Sequence, residues 1–202
     1  MRYVIDNEYV PLWKEALPFQ DKRNDKGHAF VVTIYARLVC TVERCNLNIV
    51  IPAAILHDIG WSGVPLRDRM AIFRFDTSAE AKLKARLAHQ EKGVALANKL
   101  LRKVQYQKEA IPEVLDIIAQ HDTRRGFVND NEGAMRDADK LWRYDEYGFL
   151  SDYLNGTGTI LDHIVDQENN IEMKEFFCFD SSKELAHRLT SRLRERYLSR
   201  CS

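Results

Sequence analysis

The chain has 202 residues, 45% of them hydrophobic and 30% charged, and its 30 basic and 30 acidic residues leave no net charge. That length supports one sizeable core, and the charge balance excludes the whole-chain basic footprint of a duplex nucleic-acid binder. No run approaches the ~20 apolar residues of a membrane span, the N-terminus lacks a signal-peptide core, and Cys40, Cys45, Cys178 and Cys201 show neither zinc-site spacing nor disulfide density, so a cytoplasmic protein with reduced thiols is expected.

Apolar spacing is helical nearly throughout, which predicts an all-α fold. From His28, the set Val31, Val32, Tyr35, Leu38, Val39 and Val42 marks one helix face, with His28 about one turn before the first valines. The next helix is expected to begin after Asn46 or Asn48, to accommodate Pro52 near its first turn, and to end around Asp58 with Gly60 as C-cap. Residues 60–77 form a connection carrying Arg67, Arg69 and Arg74 among Trp61, Phe73 and Phe75, of a length typical of a functional loop or a partly structured lid. Thr77-Ser78-Ala79-Glu80 reads as a capping box opening a helix to about Val104, with Leu83, Leu87, Val94, Leu96 and Leu100 at core spacing. Pro112 opens a helix whose apolar face Val114, Ile117 and Ile118 also carries His121. Residues 129–133 read as a turn, after which Met135, Asp139 and Trp142 share a face. Asn155-Gly156-Thr157-Gly158 is the predicted boundary between a core over about 24–150 and a C-terminal helical extension over about 156–202. Within that extension Ser181-Ser182-Lys183-Glu184 is expected to cap a final helix with Leu185, Leu189, Leu193 and Tyr197 on one stripe.

The chemistry centres on His57-Asp58, which closes the apolar run Ile49–Leu56. An imidazole and a carboxylate at the end of a core helix need compensation, because unpaired buried charge is expensive. A divalent cation compensates both. Adjacent residues diverge by about 100° on an ideal helix, so joint ligation suits a helix end. His28, His89, His121 and Asp139 are the other candidate donors, with imidazole and carboxylate chemistry suited to zinc, iron, manganese, cobalt or nickel.

The order of these residues, with the strings Gly27-His28-Ala29-Phe30-Val31-Val32, Leu56-His57-Asp58-Ile59-Gly60, Ile117-Ile118-Ala119-Gln120-His121 and Asp137-Ala138-Asp139-Lys140-Leu141, resembles the HD superfamily of metal-dependent phosphohydrolases over roughly residues 24–150. The resemblance implies a single HD-domain-like helical bundle with extra C-terminal helices. It implies His28, His57, Asp58 and Asp139 as ligands of one divalent ion (Fe, Mn, Co, Ni, Zn or Mg), and His89 and His121 as ligands of a second, with Asp58 bridging and acting as the catalytic residue. Two such ions against two carboxylates leave a positive cluster that attracts phosphate. The family's Ala-Asp-x-Leu pattern selects Asp139 over Asp137, which is left to cap a helix or support a ligand. His89 rests mainly on the resemblance, since its neighbours Arg86, Gln90, Glu91 and Lys92 suit a solvated face.

The implied reaction is hydrolysis of a phosphate ester of a nucleotide or related small metabolite by attack of metal-bound water. The alternative is a non-catalytic metal-containing domain that binds a nucleotide or a protein. Arg124, Arg125 and Lys140 stand beside candidate ligands and are read as substrate-binding residues, with a solvated charged surface as the competing reading. Asp122 suits a general acid or a support for an imidazole, or an exposed pair with Arg125. Residues 142–147 either border a base pocket or belong to the core, while His163 and His187 match no motif. The arginine-bearing 60–77 segment is expected beside the metal cleft. No Gly-Tyr-Pro element of a cyclic dinucleotide phosphodiesterase and no basic synthetase region is present.

Overall fold

A computed structural model of the chain describes residues 5–74 and 76–198; Phe75, Cys201 and the first four residues lie outside them. Among the described residues there are ten α-helices and no strand: α1 Val10–Ala16, α2 His28–Glu43, α3 Leu47–Leu56, α4 Leu66–Ala71, α5 Ala79–Lys103, α6 Ile111–Gln120, α7 Asp130–Leu141, α8 Glu146–Asn155, α9 Ile160–Ile171 and α10 Asp180–Leu198. Cys40, Cys45 and Cys178 are free thiols. No helix of the described residues is long and apolar enough to cross a membrane.

Helix α3 is the hub. Every residue from Ile49 to Leu56 is buried, so its apolar run is continuous rather than periodic: α2, α6 and α7 enclose it. Pro52 lies in its second turn rather than its first. The proline removes the N–H that would serve the Asn48 carbonyl, and the Tyr106 hydroxyl donates to that carbonyl at 2.9 Å instead. The Asn46 side chain accepts from the Asn48 N–H and starts the helix.

Gly60 does not cap α3. The chain runs from Leu56 through His57 and Asp58 into a 3-10 turn, Ile59–Gly63, that lies against α5. A Cβ on Gly60 would stand 1.9 Å from the His89 carbonyl oxygen and 2.4 Å from the Gly93 nitrogen, so glycine is used here for close backbone approach. The same approach selects the buried face of α5. Ala85, His89, Gly93, Ala97 and Leu101 recur every four residues and point inward, whereas Leu83 and Leu87, expected in the core, are 48% and 51% exposed. Ser78 caps α5 by accepting from Ala81 N–H, one residue later than the capping box anticipates.

Residues 129–133 are the start of α7 rather than a turn. Asn129 accepts from the Glu132 N–H at 2.9 Å, and Asp130 and Glu132 favour the positive helix end. Gly133 serves packing, since a Cβ would meet Cys178 Sγ at 2.4 Å. The final helix begins at Asp180, ahead of the predicted cap, and Ser182, Ala186, Thr190 and Leu193 are its buried stripe. Phe149, Ile164 and Leu193 form a small cluster that ties α8, α9 and α10 together.

Gly60→Ala forces backbone apart where no side chain can yield. A loss of about 2 kcal/mol or more in urea unfolding is expected, and unchanged stability would contradict the contact.

Candidate metal centre

Five helices deliver the candidate donors to one place. His57 and His121 are built alike: each follows the last residue of a ten-residue helix, and each places Nδ1 against the carbonyl three residues back, 2.8 Å from Ala54 and 2.9 Å from Ile118. With Nδ1 committed, Nε2 is the atom left to face the cluster. Both helices therefore end at the site, where the negative end of the helix dipole favours a cation. His28 is the first residue of α2, His89 lies within the inward stripe of α5, and Asp139 lies on α7.

The donor atoms fall into two sets. His28 Nε2 is 3.0 Å from His57 Nε2, 3.4 Å from Asp58 Oδ2 and 3.2 Å from Asp139 Oδ1, and His57 Nε2 is 3.6 and 3.4 Å from the same two oxygens. On the other side of the same carboxylate, Asp58 Oδ1 is 3.5 Å from both His89 Nε2 and His121 Nε2, which are 3.3 Å from each other. Asp122 Oδ2 completes this second set at 3.6 Å from His89 and 3.9 Å from His121. Bonds of ~2.1 Å at octahedral or tetrahedral angles would separate two ligand atoms by roughly 3.0 or 3.4 Å; the triads His28/His57/Asp58 and Asp58/His89/His121 have the spacing and donor chemistry to hold a metal ion, and Asp139 and Asp122 stand beside them. Three donors of each set are buried, and the fourth, Asp139 or Asp122, is about one-quarter exposed.

The charged groups of the cluster shift one another's protonation. Burial pulls the His28 pKa down, but hydrogen bonds and charge from Asp139 and Asp58 outweigh it and raise the value to about 10. His121, pulled down by burial and up more strongly by Asp122 and Asp58, reaches about 9. His89 goes the other way, to about 4, through burial and the neighbouring His121 charge. Burial would raise the Asp58 carboxyl, yet Arg23 and His57 hold it well below the usual carboxylate range; His28 and His57 do the same for Asp139.

Arg23 and Trp61 belong to the site and carry no motif. The Arg23 guanidinium donates to Asp58 Oδ2, lies 3.3 Å from Asp25 and stacks over Trp61. Trp61 Nε1 donates to Asp58 Oδ1 at 3.0 Å. A signal for Trp61 exists in its spacing three residues after Asp58; Arg23 lies ahead of the matched strings and has none. Asp122 was legible only as a possible support or acid, because its neighbour in space, His89, is remote in sequence.

A cleft of about 320 Å³ opens onto the cluster, walled by Arg23, Arg86 and Arg143, by Ile72, Phe73 and Trp142, and by Ser151, Asp152 and Gln167 from the C-terminal helices. The cationic residues singled out from sequence stand elsewhere. Arg124 makes paired bonds to Asp116 at 2.9 and 3.0 Å and lies 3.2 Å from Glu132; Arg125 is exposed outside the cleft wall. Lys140 donates to the Phe176 carbonyl and sits among the rings of Phe127, Phe176 and Phe177, where burial lowers its pKa to about 8. The 60–77 segment reaches the cleft through Ile72 and Phe73, while Arg69 donates to the Lys22 carbonyl, Arg74 pairs with Asp76 and Arg67 is exposed. Asp137 is buried and accepts from the Cys178 and Phe179 N–H groups ahead of α10. Trp142 and Tyr144 are core residues, Trp142 also lining the cleft, and Tyr147 is exposed. His163 packs on Phe149, and the exposed His187 pairs with Glu172.

No family model matches the chain, and no curated protein does. Among solved structures the chain is similar to the crystal structure of a predicted HD superfamily hydrolase from an uncultured Thermotogales bacterium, with 22% identity and a TM-score of 0.58 over 98% of this chain and 93% of that one. The chain shares that all-α fold, and the match takes in the C-terminal helices as well as the core.

Because His28 and His121 hold protons up to about 10 and about 9, a cation must displace them at neutral pH. Binding of Mn²⁺ or Co²⁺ at pH 7.5 is expected to release about two protons and to strengthen as pH rises toward 9. Calorimetry in buffers of different ionisation enthalpy measures this; pH-independent binding without proton release would count against the assignment.

Proposed function

We propose that this chain is a metal-dependent phosphohydrolase acting on a small phosphate ester, of a nucleotide or a related metabolite. The observation that carries the reading is the Asp58 carboxylate, whose two oxygens each serve a separate donor set at the floor of an arginine-lined cleft. His28, His57, Asp58 and Asp139 would hold one divalent ion, and Asp58, His89, His121 and Asp122 a second. When bound, such ions supply Lewis acidity to phosphoryl oxygens and lower the pKa of water.

The chain's own residues prepare the rest. Arg23 and Arg86 line the cleft beside the cluster and offer planar donors to phosphoryl oxygens. Phe73 and Trp142 provide flat apolar wall for the organic part, and Ser151, Asp152 and Gln167 provide polar wall. Asp139 and Asp122, the partly exposed members of the two sets, border the substrate side. Burial of the four imidazoles keeps bulk water from competing for their Nε2 atoms.

The alternative is a non-catalytic metal-containing domain that binds a nucleotide or a protein in the same cleft, where Arg23 is already paired with Asp58 rather than free for a reacting phosphate. A panel of phosphomonoesters, nucleotides and phosphodiesters, tested on chelator-stripped and metal-reloaded protein, separates the two. Metal-dependent turnover of at least one class is expected. Asp58→Asn should lower bound metal and reduce kcat/KM by about a hundredfold or more, roughly 3 kcal/mol, with helical content retained. Metal binding without turnover of any class would favour the binding domain, and unchanged metal content in Asp58→Asn would overturn the assignment of the centre.

A further inference from the structure

The four imidazoles are not held in the same way. His57 and His121 are fixed by Nδ1 on the backbone carbonyls of Ala54 and Ile118. His28 and His89 have no hydrogen-bond partner at Nδ1, although both rings are buried. Imidazoles that ligate metals almost always fix their second nitrogen with a carboxylate, a carbonyl or water, so these two need another device. Each has a tryptophan. Trp142 meets His28 edge-on at 5.0 Å and 89°, and Trp61 lies flat on His89 at 4.0 Å between ring centroids and 7° between planes.

Trp61 does more than cover a ring. It is 1% exposed, and its Nε1–H donates to Asp58 Oδ1, the oxygen that faces His89 and His121. The other carboxylate oxygen faces His28, His57 and Arg23. The turn that carries Trp61 is in turn locked to α5 by the contact of Gly60 with the backbone of His89 and Gly93. One side chain thus fixes the plane of His89, a member of the second set alone, and holds the Asp58 oxygen that faces that set, while Arg23 holds the oxygen that faces the first.

We infer that Trp61 is the positioning residue of the second cation site, setting the His89 ring by stacking and Asp58 Oδ1 by its indole N–H, so that loading of that site, and not of the His28/His57/Asp58/Asp139 site, depends on it. The inference rests on the metal-centre reading above. Trp61→Phe keeps an aromatic face on His89 and removes the N–H; Trp61→Leu removes both.

The test is titration of the chelator-stripped full chain with Co²⁺, followed by calorimetry and by the visible absorption of each equivalent. Wild type is expected to take up two ions. Trp61→Phe should weaken the second by about tenfold and Trp61→Leu by about a hundredfold, the range seen when groups that orient ligands are removed, with the first ion held within about twofold. Circular dichroism checks that both variants fold. If both ions weaken together, if neither does, or if wild type holds a single ion, the role assigned to Trp61 is overturned. If wild type binds no Co²⁺ at all, the metal-centre reading fails with it, which marks that failure apart from the others.

Discussion

A buried carboxylate that must stay ionised governs this structure. Asp58 is 9% exposed, and a lone carboxylate so placed would neutralise itself rather than accept the desolvation cost. Its surroundings prevent that: Arg23 and Trp61 donate to its two oxygens, and four imidazoles approach within 3.6 Å. Much of the fold follows from bringing those groups together. Helix α3 must be enclosed on all sides to end there, α5 must present a small-residue stripe so that His89 can approach, and α6 must stop where its last turn orients His121.

The parts visible in the sequence are those whose local pattern is unusual. A His-Asp pair after eight apolar residues violates the expectation for a core helix, and that violation located the centre. The all-α character followed from periodicity, and the starts of α2, α3 and α6 from His28, Asn46 and Pro112. What local periodicity does not show depends on distant packing. His89 is surrounded in sequence by Arg86, Glu91 and Lys92, yet the stripe Ala85, Gly93, Ala97 turns it inward, because only small residues admit the backbone of the Ile59–Gly63 turn. Leu83 and Leu87 have core spacing along the chain but lie off that stripe and are exposed. By sequence Gly60 and Gly133 stand where the chain turns, whereas in the structure both make room for a neighbour. Arg124 and Lys140 are adjacent to donors along the chain, but their side chains are committed to Asp116 and to the Phe176 carbonyl.

The cleft is asymmetric. Its floor and cationic rim come from the loop before α2, from α5 and from the donor helices, while its far polar wall is supplied by α8 and α9. Gln167 is 5% exposed in that wall, and its Oε1 has no protein partner. The C-terminal helices are therefore part of the surface a ligand meets, and they are joined to the core through Trp142, which borders both the His28 ring and the cleft.

The donors of either set are scattered across the chain, from the start of α2 to α7 and from the end of α3 through α5 to α6. No two sequence-adjacent candidate donors occur apart from His57-Asp58 and His121-Asp122, so an unfolded chain would offer a cation only weak, pairwise sites. An ion that binds the assembled centre therefore acts as a clamp on the native state. At a free concentration a hundredfold above its dissociation constant it adds about 2.7 kcal/mol to the unfolding free energy, a sizeable share of the ~5–15 kcal/mol that holds an ordinary domain together. Because the clamp closes α2, α3, α5, α6 and α7 on one another, the cellular supply of the ion would govern the lifetime of the whole bundle as well as its chemistry.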